Sequence, residues 1–238
     1  MPMAIEKDIL MATSFEPAST PRLRCELHNA ITHFAHSTFE CDMTDPHSIE
    51  LVHFGSKRWA NYFKVVLLGL QSVLPPEVRQ NAHGTIKVLV DGTVPPESSL
   101  SSSAAMTTCS SIVILTALKA LHVVPRKVIA DVACHSERLV GVHSGGMDQA
   151  VSVFGQRDKA LFVSFAPTLH VSPIELPLGH QYVFLVTNTM IKSDKKATAP
   201  ERYNLRVVET RLAAAVLKRV LQTLSLIHIS EPTRPRLI

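Results

Sequence analysis

Three consecutive serines open the stretch of this chain most able to do chemistry: Leu100-Ser101-Ser102-Ser103-Ala104-Ala105, followed at once by an apolar helical run. Unpaired backbone N–H groups and hydroxyls at a helix N-terminus, where the helix dipole is positive, favour an anion such as a phosphate. The same residues also suit a plainer role, a serine N-cap on a core helix. Two further segments keep it company, Gly145-Gly146-Met147-Asp148-Gln149 downstream and Arg58-Trp59-Ala60-Asn61-Tyr62 upstream. A carboxylate behind two glycines can approach a hydroxyl closely, because neither neighbour puts a side chain in the way. Asp148 can then accept that hydroxyl's proton or orient it. A loop aspartate bonding its own backbone is the alternative.

Periodicity indicates the elements that must position these residues. The first fifteen residues alternate weakly, as a strand would, and residues 16–50 give no firm pattern. A helix is expected from Lys57 to Leu74, with Trp59, Phe63, Val66, Leu67 and Leu70 on one face and Pro75-Pro76 ending it. Ile86 to Val90 reads as a strand, and the Pro/Ser loop after it leads into the serine run. Ala104 to Val124 carries one formal charge, Lys119, and is expected to form a largely buried helix. Pro125 separates it from a second helix over Arg126 to Leu139, and a tight loop follows at 141–149. Leu161–Phe165 and Tyr182–Thr187 read as strands, and Leu205 to Leu224 as a helix. Strands grouped with intervening helices, without regular βαβ alternation, indicate an α+β fold rather than a doubly wound sheet.

Composition narrows the function classes. A net charge of +4 spread over 238 residues is no nucleic-acid signature, and the Lys192-Ser193-Asp194-Lys195-Lys196 cluster contains an acid and no aromatic, as a solvated loop does. The apolar run at 104–124 approaches bilayer length, yet Thr107, Thr108, Ser110, Ser111 and Lys119 interrupt it and no aromatic belt flanks it. Glu6, Lys7 and Asp8 break the only early apolar stretch, so no secretory leader is expected there. Cys25, Cys41, Cys109 and Cys134 lack close pairing and fit free core thiols in a reducing, cytoplasmic setting better than disulfides or zinc.

Taken in order, these motifs resemble the galactokinases and the related N-acetylgalactosamine kinases of the GHMP small-molecule kinase superfamily, the fungal members in particular. Val90-Asp91-Gly92, Pro95-Pro96, Ser136-Glu137-Arg138 and the stretch from Tyr203 to Glu209 add to the likeness, which runs from Pro2 to about Leu224. The resemblance implies transfer of a phosphoryl group from ATP to the anomeric hydroxyl of galactose or N-acetylgalactosamine, with magnesium. It implies that Ser99, Leu100, Ser101, Ser102 and Ser103 cradle phosphate and that Ser103 and Glu137 hold the Mg2+. It also places Trp59 near the adenine, although a core anchor on its helix suits Trp59 equally. Glu137 read alone is better explained as a helix-surface charge, and it is the spacing shared with the superfamily pattern that brings the two readings level. Asp148 becomes the catalytic carboxylate, with Gly145, Asp148 and Tyr203 facing the sugar.

The implied architecture is an incomplete GHMP fold. Residues 1–165 would form an N-terminal, ribosomal-S5-like domain without its first segment, and 166–224 the start of the C-terminal domain. Residues 225–238 read as an unrelated tail resembling a translated sequencing adapter. The family signature with Arg, Glu, His and Asp before the Pro2-Met3-Ala4-Ile5 stretch is absent, as is the later glycine-rich motif. An inactive fragment is therefore expected. A non-catalytic galactose- and ATP-binding sensor acting through a protein partner is the alternative; neither reading involves nucleic acid or membrane. Ser99 stands where the family usually has glycine, and Glu97 where many relatives do. If either position needs positive φ, a side chain there costs about 1–2 kcal/mol.

Overall fold

The computed structural model describes residues 2–175, 184–187, 201 and 204–221. Its centre is a four-stranded sheet in the order β1-β4-β2-β3, formed by β1 (Ile9–Pro17), β2 (Leu23–Asn29), β3 (Ser37–Cys41) and β4 (Gly84–Gly92). β1 runs antiparallel to β4, with Ile9 opposite Gly92. β2 runs parallel to β4, with Leu23 opposite Gly84, and antiparallel to β3. A parallel pair needs a crossover. The segment between β3 and β4 supplies it through α1 (Asn61–Gln71) and a short α2 (Pro76–Gln80).

One face of the sheet is dry. Leu23, Cys25 and Leu27 of β2 and Ile86, Val88 and Val90 of β4 alternate inward and are buried. The outward positions carry surface ion pairs such as Lys87 with Glu16 and Arg24 with Glu26. Helices complete the core: α3 (Ser102–Ala117) packs against β1, and α1, α4 (Arg126–Leu139) and α5 (Met147–Phe154) pack around α3. Phe63, Leu67 and Leu70 of α1 join Ile114 and Leu115 of α3 and Ile129 and Val132 of α4 in one core.

The helix of α3 is buried on almost every side, Thr107, Ser110 and Ser111 included. Two of those hydroxyls are satisfied within the helix, Thr107 donating to the Ala104 carbonyl (3.1 Å) and Ser111 to that of Thr107 (2.9 Å). α3 stops at Ala117 rather than reaching Val124. Lys119 adopts φ +55°, Ala120 N–H bonds the Leu115 carbonyl (2.7 Å) and Lys119 N–H that of Thr116 (3.0 Å). That is a Schellman ending with lysine where glycine is usual, so the stop signal is missing from the residue types. Among the described residues no helix is long and apolar enough to cross a membrane.

The expected helix at 57–74 is a 3-10 turn over Arg58–Ala60 followed by α1, and α4 covers the expected span. The tight loop expected at 141–149 is shorter, because α5 begins at Met147. A hairpin follows, β5 (Lys159–Ser164) with β6 (His170–Glu175). β6 contains Pro173 and shows no strand signal, yet among the described residues it pairs on one side only, where a missing N–H is tolerated. The N-terminus joins this hairpin, Leu161 N–H bonding the Pro2 carbonyl (3.0 Å).

Of the strand expected at Tyr182–Thr187, residues 182–183 lie outside the described residues and 184–187 form none. Apolar residues become a strand only where a neighbour pairs the backbone, and Leu185 and Val186 stand exposed. The last helix, α6 (Asn204–Leu221), begins where Asn204 accepts from His143 N–H (3.2 Å) and donates to the Gly141 carbonyl (3.3 Å). The basic cluster at 192–196 lies outside the described residues. Cys25, Cys41 and Cys134 are buried, Cys109 is half-buried, and all four are free.

Candidate functional site

The loop between β4 and α3 has an unusual backbone. Glu97, Ser99 and Ser101 adopt φ of +56°, +61° and +59° in alternation. Left-handed residues are one half of the right-handed/left-handed pairs that build anion-binding nests, in which successive N–H groups turn to one side. Ser101 is the residue before α3, and its side chain makes no capping hydrogen bond. The plain N-cap reading of the serines therefore fails at Ser101, and the first N–H groups of α3 are left for another acceptor.

A cleft of about 470 Å³ opens over this loop, a size suited to a small-molecule ligand. Ser99, Ser101, Ser102, Ser103 and Glu137 line it, together with Trp59, Phe34, Tyr62, His33, Arg58 and Asp91. Leu100 is half-buried and is not part of the lining. Trp59 stands both at the cleft and in the core. It lines the cleft, and it is also an anchor, 9% exposed, with its indole N–H on the Ala35 carbonyl (2.9 Å) and its ring against Phe34.

Glu137 is no surface charge. It is 3% exposed, and three other segments converge on it. Ser103 at the start of α3 donates to Oε1 (2.5 Å), while Ser144 (2.9 Å) and Gln149 (2.5 Å) donate to Oε2. Burial raises its carboxyl pKa above the usual range; the three donors oppose that shift and the Asp148 charge adds to it. Among the described residues no cationic side chain forms an ion pair with Glu137. A buried carboxylate beside a hydroxyl, with its charge unbalanced, suits a hard divalent cation that completes its shell with water and phosphate oxygens. The two expected metal residues, 34 positions apart, are thus brought together.

Asp148 sits in the first turn of α5, half-buried, and does not line the cleft. Its carboxylate makes no hydrogen bond among the described residues, so the loop aspartate tied to its own backbone is not what the fold contains. Gly146 before it has φ +86°, and a Cβ there would come within 3.0 Å of Cys134 Sγ. Only glycine allows that turn, which starts α5 against α4. Gly145 is half-buried beside it, and Tyr203 lies outside the described residues. Sequence reasoning missed Ser144 and Gln149 as partners of Glu137. Gln149 belonged to a quoted motif, but its spacing from Glu137 matches no local pattern.

Comparison with known proteins follows this geometry. Residues 61–156 match the model of the GHMP kinases N terminal domain. A galactokinase of Schizosaccharomyces pombe is 32% identical over 227 residues, covering 92% of this chain and 42% of that protein. One from Candida albicans is 35% identical over 222 residues, covering 93% of this chain and 42% of that protein. The chain thus spans about two fifths of the length of these relatives. Among solved structures, Lactococcus lactis galactokinase complexed with galactose matches with a TM-score of 0.60, covering 96% of this chain and 59% of that one. At 18% identity that match speaks for the fold alone.

Proposed function

We propose that this chain, a member of the GHMP kinase superfamily by its N-terminal domain and a relative of the galactokinases over most of its length, is part of a sugar kinase. The complete protein would transfer the γ-phosphoryl group of ATP to the anomeric hydroxyl of galactose or N-acetylgalactosamine. The observation that carries this reading is the Ser103–Glu137 pair at the head of α3, directly beside the nest of Glu97, Ser99 and Ser101.

In this reading the N–H groups of the 99–103 loop hold the triphosphate and Trp59 borders the adenine. Ser103 and Glu137 hold magnesium, which when bound neutralises charge on the phosphates. Asp148 accepts or orients the proton of the sugar hydroxyl, with Gly145 and Tyr203 completing the sugar side. We assign residues 1–165 to the N-terminal domain and 166–224 to the start of the C-terminal one, with 225–238 apart from both.

The test is Asp148→Asn in a full-length protein carrying this chain, with sugar phosphate as the readout. Loss of a general base lowers the rate by roughly 10²–10⁴. A loss below tenfold removes Asp148 from the chemistry. Tight binding of both galactose and ATP by the unsubstituted protein without turnover points instead to the sensor.

A further inference from the structure

We propose that Gln149 and Ser144 are positioning residues for the divalent cation, holding one oxygen of Glu137 so that the other faces the cleft beside Ser103. The inference rests on the nucleotide-and-magnesium reading above. Both donors fall on Oε2, and Ser103 alone meets Oε1. Two donors on one carboxylate oxygen use its in-plane lone pairs, which leaves open acceptor capacity on the oxygen shared with Ser103.

The holders are themselves held. Ser144 is 7% exposed, and its carbonyl accepts from the Arg138 guanidinium (3.2 Å). Gln149 is fully buried at the start of α5, behind the turn that only Gly146 permits. Its amide nitrogen also lies 3.5 Å from Ser144 Oγ, closing a small network. Gln149 Oε1 has no hydrogen-bond partner among the described residues. Turning the amide over would press that oxygen against a carboxylate, so Glu137 dictates the orientation of Gln149. A buried amide with one end unsatisfied is unfavourable in a core, and a purely structural position would be better filled by an apolar side chain. The network makes sense where the orientation of Glu137 matters. Outer-sphere partners of metal ligands act in this way, and their loss typically weakens metal binding about 10–100-fold.

The test compares the full chain with Gln149→Met, which keeps the volume and removes the donor, and with the smaller change Ser144→Ala. Mn2+ is titrated in the presence of ATP and followed by its paramagnetic resonance signal. ATP affinity without metal and a thermal melt are measured beside it. Each substitution should weaken Mn2+ binding at least tenfold while metal-free ATP affinity stays within twofold. Unchanged Mn2+ affinity in both variants, equal losses with and without metal, or unfolding of both variants would overturn the inference. An unsubstituted chain that binds ATP but no Mn2+ overturns the magnesium reading, and the inference with it. One that binds neither ligand removes the nucleotide site altogether.

Discussion

At the scale of single residues, the nest before α3 is built from the wrong residue types. Ser99 holds φ +61° and Glu97 φ +56°, positions where glycine would be free of strain. Replacing Ser99 with glycine relieves about 1–2 kcal/mol of strain. It also loosens the unfolded chain, which takes back about 0.4–1 kcal/mol. Ser99→Gly should therefore stabilise the protein by about 0.5–1 kcal/mol, seen as a melting temperature higher by about 1–4 °C for a chain of this size. Ser99 is exposed and makes no side-chain hydrogen bond among the described residues, so little else changes. A melting temperature that falls would mean that Ser99 contributes something the backbone argument omits. Residue types alone hide this strain, because serine is at home in loops; the comparison of motif patterns is what marks the position.

At the scale of elements, α1 packs against α4, the helix that carries Glu137. Gly69 lies in that contact. A Cβ there would meet Ser136 Oγ at 2.4 Å and Val132 Cγ1 at 3.1 Å. Gly69→Ala gains about 0.5–1 kcal/mol of helix propensity. Overpacking costs about 1–3 kcal/mol, so a net loss of about 1–2 kcal/mol is expected in a denaturant melt. Ser136 is buried and its hydroxyl lacks a partner among the described residues, so Ser136→Ala alone should be neutral or stabilising. The double variant should recover most of the loss, since the atom at 2.4 Å is gone. A double variant as unstable as Gly69→Ala would place the cause elsewhere, in the backbone of α1.

At the scale of the whole molecule, the loop before α3, Ser103 and Glu137 line one cleft, while Asp148 stands off it. The exposed apolar residues of α6, Leu205, Val208, Leu212 and Val216, face no partner in the described residues. The chain spans about two fifths of the length of the galactokinases it resembles. The 238-residue polypeptide expressed as it stands should give no sugar phosphate above background from labelled ATP and galactose. Magnesium-dependent product would show that the sugar side is more complete than these residues suggest.

Local chemistry made much of this protein legible from its residues. Apolar spacing and Pro125 mark α4 to its ends, the serine run marks the start of α3, and the ordered motifs mark the likeness to the GHMP kinases. These signals act between neighbours within a turn or two, and such neighbours are visible in a linear string. Other features depend on residues remote in sequence. Pairing with β5 makes β6 a strand despite Pro173, and a Schellman ending stops α3 at Ala117 despite its lysine. Glu137 is the clearest case. A carboxylate on a helix reads as solvated until its surroundings are known, and its donors come from 34, 7 and 12 positions away. Burial removes the water that would otherwise satisfy it, so packing alone decides whether that residue is a surface charge or a cation's ligand.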